Sequence, residues 1–408
     1  MTDKLNLPNG WRWEKFGDIV HNLDGKRKPL SKEVRSKRNG QYRYYGATEI
    51  VDYIDDYLFE GEHLLIGEDG ANLLSKSKAL AFIVDGKFWV NNHAHVLQAK
   101  ETSVNKYLCY YFNSLNLSKF VTGTAQPKLT QGNLNKIEIP ICPFHIQKKI
   151  VSKIEELFSE LDKGIENLRT AQQQLKTYRQ AVLKWAFEGR LTNENVKDGE
   201  LPKGWKNVSI TELVEKNKHA LKAGPFGSSL KKEFYVPKGY KIYGQEQVIS
   251  GDAFYGDYFV SEEKYQELTS CKIKPFDILI RLVGTVGKVL LLPENCHNGI
   301  INPRLVKISL ARNVYLPKFF KYYFESSFVK SFYGAETRGT TMDVLNLGII
   351  KTIPFPLCTI EEQNKIIQEI ESRFSVADKM EESIIQSLQQ AEGLRQSILK
   401  KAFEGKLI

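Results

Sequence analysis

Residues able to do chemistry are sparse in this chain, and their spacings are informative chiefly for what they exclude. His93 and His95 flank an alanine in the stretch HAH, which on a strand would put two imidazoles on one face. A zinc site needs at least a third nitrogen, sulfur or carboxylate ligand, and none follows at a recognisable spacing, so no metal site is expected. The stretch GTVGK, Gly284 to Lys288, lacks the GxxxxGK[ST] spacing of a phosphate loop and reads as a turn between strands. NPRL, Asn302 to Leu305, lacks the second proline and the aromatic of a methyltransferase NPPY. No nucleophile elbow, zincin helix or dinucleotide fingerprint occurs. Five cysteines, Cys109, Cys142, Cys271, Cys296 and Cys358, are odd in number and form no CxxC, which fits reduced thiols in a cytoplasm. The sequence therefore offers binding surface without a catalytic centre, and no cofactor is expected.

Its charge says what that surface could bind. Lysine and arginine outnumber aspartate and glutamate by ten, and the pI is about 9.1, a balance suited to nucleic acid or an acidic partner. Between Asp24 and Arg43 eight basic residues (Lys26, Arg27, Lys28, Lys32, Arg35, Lys37, Arg38, Arg43) face two acidic ones, with Tyr42, Tyr44 and Tyr45 close behind. A flexible basic loop beside aromatics is a candidate surface for tracking phosphates. The candidate DNA-contacting residues are Lys26, Arg27, Lys28, Lys32, Arg35, Arg43, Lys76, Lys78 and Lys128 in the first half, and Lys231, Lys232, Arg281, Lys288, Arg304 and Arg338 in the second.

The elements that must position these residues are written twice. The closing AFEGKL at Ala402 to Leu407 repeats AFEGRL at Ala186 to Leu191, an offset of 216. The same offset pairs Gln147 with Gln363, Phe158 with Phe374, Asp162 with Asp378, Arg179-Gln180 with Arg395-Gln396, and Pro140-Ile141-Cys142 with Pro356-Leu357-Cys358. Upstream, LPNGW at Leu7 and LPKGW at Leu201 match at an offset of 194, so about twenty residues are inserted in the second copy. The chain is a tandem repeat, alike at the edges of each copy and different inside.

Each copy ends in a heptad pattern. Leu157, Leu161, Leu168, Leu175 and Val182, with Ile154, Ala171, Tyr178 and Trp185, recur at three and four residues in the first copy. Ile370, Ile384, Leu394 and Ile398, with Ala377, Met380 and Ala391, repeat the seam in the second, interrupted by Arg373, Ser387 and Lys401. Pro143 and Pro356 precede these stretches and Gly189 and Gly405 follow them, so each predicts a helix of about forty residues, roughly 60 Å long. Upstream, Tyr44–Phe59, His63–Gly70, Leu80–Val84 and Phe88–Gln98 read as short strands, answered by Asp277–Leu292 and Gly299–Ser309, and the segments 105–114 and 316–327 as matched helices. No run of eighteen apolar residues and no apolar leader suggests a membrane, and a cytoplasmic protein is expected.

In combination, LPxGW opening each copy, the variable strand-rich interior, Glu361-Glu362-Gln363 at the head of a long helix and AFEGKL closing it resemble the specificity subunit of type I restriction-modification systems. The resemblance spans nearly the whole chain. It implies an α/β (α+β) fold: two strand-rich target recognition domains joined by two long helices that pair as an antiparallel coiled coil, in a pseudo-twofold tandem repeat. The implied division is 1–144 and 192–360 for the recognition domains and 145–191 and 361–408 for the helical regions. It further implies a non-catalytic subunit that reads a bipartite site in double-stranded DNA, docks two methyltransferase subunits on its helices, and joins restriction subunits in a larger complex. One departure is Ile146, which stands where the first copy should carry the glutamate matching Glu362. A competing expectation is a protein-interaction scaffold, a helical hairpin presenting two protein-binding modules.

Overall fold

The computed structural model describes residues 7–101, 103–123, 125–193, 196–197, 200–282, 287–336 and 345–408. The two heptad stretches form helices Phe144–Phe187 and Ile360–Phe403, each of 44 residues. By its internal contacts the chain divides into two compact units, one built from residues 1–169 with 385–408 and the other from residues 170–384. The first long helix begins in unit 1 and ends in unit 2, and the second does the reverse.

Both units follow one plan. Each opens with a proline-anchored turn, Trp11 N–H to the Pro8 carbonyl and Trp205 N–H to the Pro202 carbonyl, completed by Gly10 and Gly204 at φ of +83° and +87°. A two-stranded antiparallel ribbon closes the module, Arg12–Lys15 on Glu138–Ile141 in unit 1 and Lys206–Val208 on Phe355–Leu357 in unit 2. Between them lie two four-stranded sheets. In unit 1 the antiparallel sheet runs Val20–Asn22, Ala94–Ala99, His63–Gly67, Ala81–Val84. In unit 2 it runs Leu221–Ala223, Leu305–Ile308, Ile278–Arg281, Val289–Leu291. The second sheet of each unit carries one parallel pair, Asn39–Tyr45 beside Lys87–Val90 and Tyr240–Tyr243 beside Gly299–Ile301. Much of the insertion in the second copy lies after Tyr243, where helix Gln245–Ser250 stands in place of the four residues that follow Tyr45 in unit 1.

The closing phrase completes the core of each unit. In unit 1 Phe403 sits edge-on to Tyr107 and Tyr111 at centroid distances of 5.2 and 5.0 Å, and in unit 2 Phe187 sits likewise against Phe319 and Tyr323 at 5.2 and 5.0 Å. The following glycines take positive φ and pack on the opening prolines: a Cβ on Gly405 would lie 2.4 Å from Pro8 Cγ, and one on Gly189 would lie 2.0 Å from Pro202 Cγ. Only glycine satisfies both demands. The repeated glutamines are fully buried splints: Gln147 accepts from Val104 N–H and donates to the Cys142 carbonyl, and Gln363 accepts from Leu316 N–H and donates to the Val314 and Cys358 carbonyls.

Within each unit the two long-helix segments pack antiparallel, and the repeated charged residues clamp them. In unit 1 Arg395 lies 4.4 Å over the Phe158 ring and pairs with Asp162. In unit 2 Arg179 lies 5.6 Å from the Phe374 ring centre and pairs with Asp378 and Glu381 at 2.6 and 2.8 Å. These clamps correct the expected seam. Leu161, Leu168, Leu175, Val182, Ile370, Ile384 and Ile398 lie on the half-buried or buried line, and Leu157 is half-buried against the core of unit 1. Alternate positions are taken by Phe158, Arg179, Glu381 and Arg395, one residue beyond the apolar neighbours named from the sequence, and by Phe374, one beyond the interrupting Arg373. Leu394 and Met380 are each 52% exposed, and Tyr178 and Trp185 are exposed too. A guanidinium over an aromatic face, satisfied by a carboxylate, fills a seam position that hydrophobicity assigns to its neighbour.

Glu362 accepts hydrogen bonds from Thr192 Oγ1 at 2.5 Å and Asn193 Nδ2 at 3.1 Å, tying down the chain just past the first closing phrase. Ile146 packs instead against the core of unit 1. Among the described residues no helix is long and apolar enough to cross a membrane.

Candidate nucleic-acid interface

At one end of each module the strand ends turn into loops tied together by the same four hydrogen bonds, although of the residues that make them only Leu129 and Leu345 align under the 216 offset. Asn91 N–H bonds the Tyr45 carbonyl at 3.1 Å, and Asn302 N–H the Tyr243 carbonyl at 2.9 Å. The asparagine side chain then accepts from the backbone two residues on, His93 N–H at 2.8 Å and Arg304 N–H at 2.9 Å. Glu68 N–H bonds the His93 carbonyl at 2.8 Å, and Leu282 N–H the Arg304 carbonyl at 3.0 Å. Last, Leu129 N–H reaches the Glu68 carbonyl at 2.8 Å and Leu345 N–H the Leu282 carbonyl at 2.9 Å. Asparagine suits this corner because its side chain closes a turn on its own backbone, freeing the next residues to project.

The tips differ. In unit 1 His93 Nδ1 lies 2.8 Å from Asp69, so Nδ1 carries a proton donated to that carboxylate. In unit 2 Arg304 is exposed and donates through Nη1 to Gln245 Oε1 at 3.4 Å. Gly224 closes this crown: its N–H bonds the Leu305 carbonyl, and a Cβ there would lie 1.9 Å from the Asn302 carbonyl oxygen. Two residues on, Phe226 is 87% exposed. Arg281, at the end of its strand opposite Leu305, keeps a buried Nε with no hydrogen-bond partner among the described residues.

Beneath the crown of unit 1 lies a closed ion-pair network. His95 Nδ1 is 2.6 Å from Asp24 Oδ2, its Nε2 donates to the Leu129 carbonyl at 2.8 Å, and Asp24 Oδ1 accepts from Val96 N–H. Arg27 donates to Glu68 and to the Ala94 carbonyl, each at 2.7 Å, and Lys128 lies 3.1 Å from Glu68. Burial is the largest single influence and works against ionised Asp24 and Glu68, yet hydrogen bonds and charge together outweigh it, from His95, Val96 N–H and Arg27 on the first and from Arg27, His95 and Lys128 on the second, and hold both carboxyls below their ordinary range. Asp24, Glu68 and His95 bring one ligand atom each within 4.8 Å of one another. Both imidazole nitrogens are already engaged and two cationic side chains serve the carboxylates, so this donor set does not suit a metal. The HAH pair is split: His93 lies in the turn and His95 in the core.

The candidate cations are correspondingly sorted. Arg27 is a structural residue, its side chain only 13% exposed. The stretch from Asp24 to Arg43 is not a flexible loop: it holds a short helix, Lys32–Ser36, and the start of a strand. Arg35 pairs with Asp52 at 2.9 Å and covers the Tyr44 ring, and Arg43 donates to the Asp85 carbonyl at the opposite end of the sheet from Asn91. Lys26, Lys28 and Lys32 are exposed with no ion pair among the described residues. Lys76 is half-buried, with its ammonium pKa lowered by burial, and Lys78 pairs with Glu49 beside the unit 1 crown. Lys128 belongs to the ion-pair network. In unit 2 Lys231 lies 3.6 Å from Glu233, Lys232 is exposed, and Lys288 donates to the Ile249 carbonyl at 3.1 Å. Arg281 and Arg304 come together at the crown. Arg338 lies outside the described residues. The sequence reading missed Asn91, Asn302, Gln245 and Phe226; the shared Asn two residues before His93 and Arg304 was a signal in plain view.

One frame built twice, with unlike polar tips on equivalent loops, is the organisation of a two-headed recognition protein. Comparison with known proteins identifies which. The family described as "Type I restriction modification DNA specificity domain" matches residues 8–169 and 202–390. A type I restriction enzyme specificity subunit of Haemophilus influenzae is 27% identical over 404 residues, covering 96% of this chain and 94% of its own length. The EcoBI specificity subunit of Escherichia coli is 25% identical, covering 100% of this chain and 85% of its own. Among solved structures, the fold is shared with a chain described under assembly and conformational transition of the type I R-M system, with TM-score 0.72 and 17% identity over 99% of this chain and 100% of that one. It is shared also with the HsdS subunit of Thermoanaerobacter tengcongensis, with TM-score 0.55 and 18% identity over 98% of each chain. The chain belongs to the type I restriction-modification DNA specificity family and is a specificity subunit carrying two copies of its domain.

Proposed function

We propose that this subunit is the non-catalytic reader of a type I restriction-modification complex, each module recognising one half of a bipartite site in double-stranded DNA. The observation that carries this reading is the doubled crown: equivalent hydrogen bonds hold His93 and Asp69 at one tip and Arg304 and Gln245 at the other. Two unlike half-sites need two unlike readers on one kind of frame. The recognition domains are assigned to 1–144 and 192–360 and the helical regions to 145–191 and 361–408. The paired helices set the spacer between half-sites and dock two methyltransferase subunits, equal partners that require equal surfaces, as the repeated clamps and closing phrases supply. Restriction subunits join that core.

Methylome sequencing of cells expressing the subunit with its methyltransferase tests this. The expected result is methylation at one bipartite motif, dependent on both chains; methylation or cleavage by the purified subunit alone would overturn the non-catalytic assignment. Inserting one heptad near Leu168 and a matched heptad near Ile384 lengthens the pair by about 10 Å. At roughly 3.4 Å per base pair, the optimal spacer should grow by about three base pairs with both half-sites unchanged. An unmoved optimum in a folded protein refutes the ruler.

A further inference from the structure

We infer that the tip of the asparagine-closed turn is the specificity-determining position of each module, with Arg304 reading a guanine in the major groove for unit 2 and His93 reading a hydrogen-bond donor for unit 1. This rests on the bipartite reading and names the residues that perform it.

Three observations carry it. The backbone of the turn is fixed identically in both units by its neighbours, so the tip residue is placed by the frame and its identity is free to vary. Asn91 and Asn302 spend their side chains on the turn itself, whereas His93 and Arg304 project from it. The tip side chains are also oriented from behind. Gln245 Oε1 accepts from Arg304 Nη1, leaving the rest of the guanidinium fork exposed. Asp69 accepts the Nδ1 proton of His93, whose ring is half-exposed, so Nε2 is the ring nitrogen left for a ligand.

The chemistry then follows from the groups themselves. Guanine offers O6 and N7 side by side in the major groove, and the planar arginine fork matches both. Where Nε2 of His93 carries no proton it accepts, and the exocyclic amine of adenine or cytosine is its match in the major groove. The isolated cations Lys26, Lys28 and Lys232 have no such support and suit phosphate contact.

The test uses the subunit in complex with its methyltransferase and a binding selection from DNA randomised in both halves, with methylome sequencing alongside. R304K and R304Q are compared with wild type. Lysine keeps the charge but not the fork, so a base reader and a phosphate contact respond differently to it. Both variants should lose preference for one guanine, by on the order of ten- to a hundredfold, in one half-site, with the other half and the spacer unchanged. H93Q should change one position in the opposite half. Retention of the wild-type motif by R304K with only weaker overall binding would make Arg304 a phosphate contact and overturn the proposal, as would a change in both halves or in neither. If instead wild type itself selects no bipartite motif, the bipartite reading fails, which is a separate result.

Discussion

Phe403 stands near the end of the sequence, yet its ring is buried among Tyr107 and Tyr111 in unit 1, whose module lies almost three hundred residues upstream. Replacing it with alanine removes a ring that is 5% exposed, together with two edge-to-face contacts, beside the Gly405 and Pro8 contact it helps to seat. Truncations of this kind cost about 3–5 kcal/mol. For a unit of this size each kcal/mol lowers the midpoint by about 2–4 °C, so unit 1 should melt on the order of 10 °C earlier. The counterpart F187A removes a ring held between Phe319 and Tyr323 and should weaken unit 2 by a similar amount. Hydrogen exchange read peptide by peptide separates the two. F403A should raise exchange in residues 12–141 and leave 206–336 near wild type, and F187A should do the opposite. If F403A loosens unit 2, or if neither unit loses more than about 1 kcal/mol, the assignment of each closing phrase to its module is wrong.

Two further outcomes follow from buried charge. R27A should destabilise unit 1 by about 3 kcal/mol in denaturant titration, because Glu68 and Asp24 lose a buried cationic donor, whereas K26A should stay within about 0.5 kcal/mol; equal effects would return Arg27 to the surface set. Asp277 is buried beside Ser309 and Lys307, and desolvation lifts its carboxyl from 3.8 to about 6 against the Ser309 hydrogen bond. Its folded pKa being the higher, it favours the fold most below pH 3.8, and that contribution is lost as pH rises through about 6. The stability of wild type relative to D277N should therefore fall by up to about 3 kcal/mol between pH 4 and 7, at 1.36 kcal/mol per pH unit; a pH-independent difference, or one falling toward acid, would refute the cause.

The sequence by itself determined the repeat, the two long helices, the strand-rich interiors and the family, because these are properties of periodicity and local order. An offset of 216 already paired Arg179 with Arg395, Phe158 with Phe374 and Asp162 with Asp378. Only the tertiary structure decided what those pairs are for. Arg395 of the second copy stacks on Phe158 of the first, and Arg179 of the first on Phe374 of the second, so each unit takes one helix segment from each copy. A periodicity that scores apolar residues placed Leu394 and Met380 in the seam because it cannot see a guanidinium satisfied by a ring and a carboxylate at once. For the same reason the count of basic residues could not separate Arg27, consumed by Glu68 and a backbone carbonyl, from Arg304, held at a tip. Charge is written in the sequence, but whether a charge is spent on the fold or left for a ligand depends on which carboxylates and carbonyls folding brings beside it.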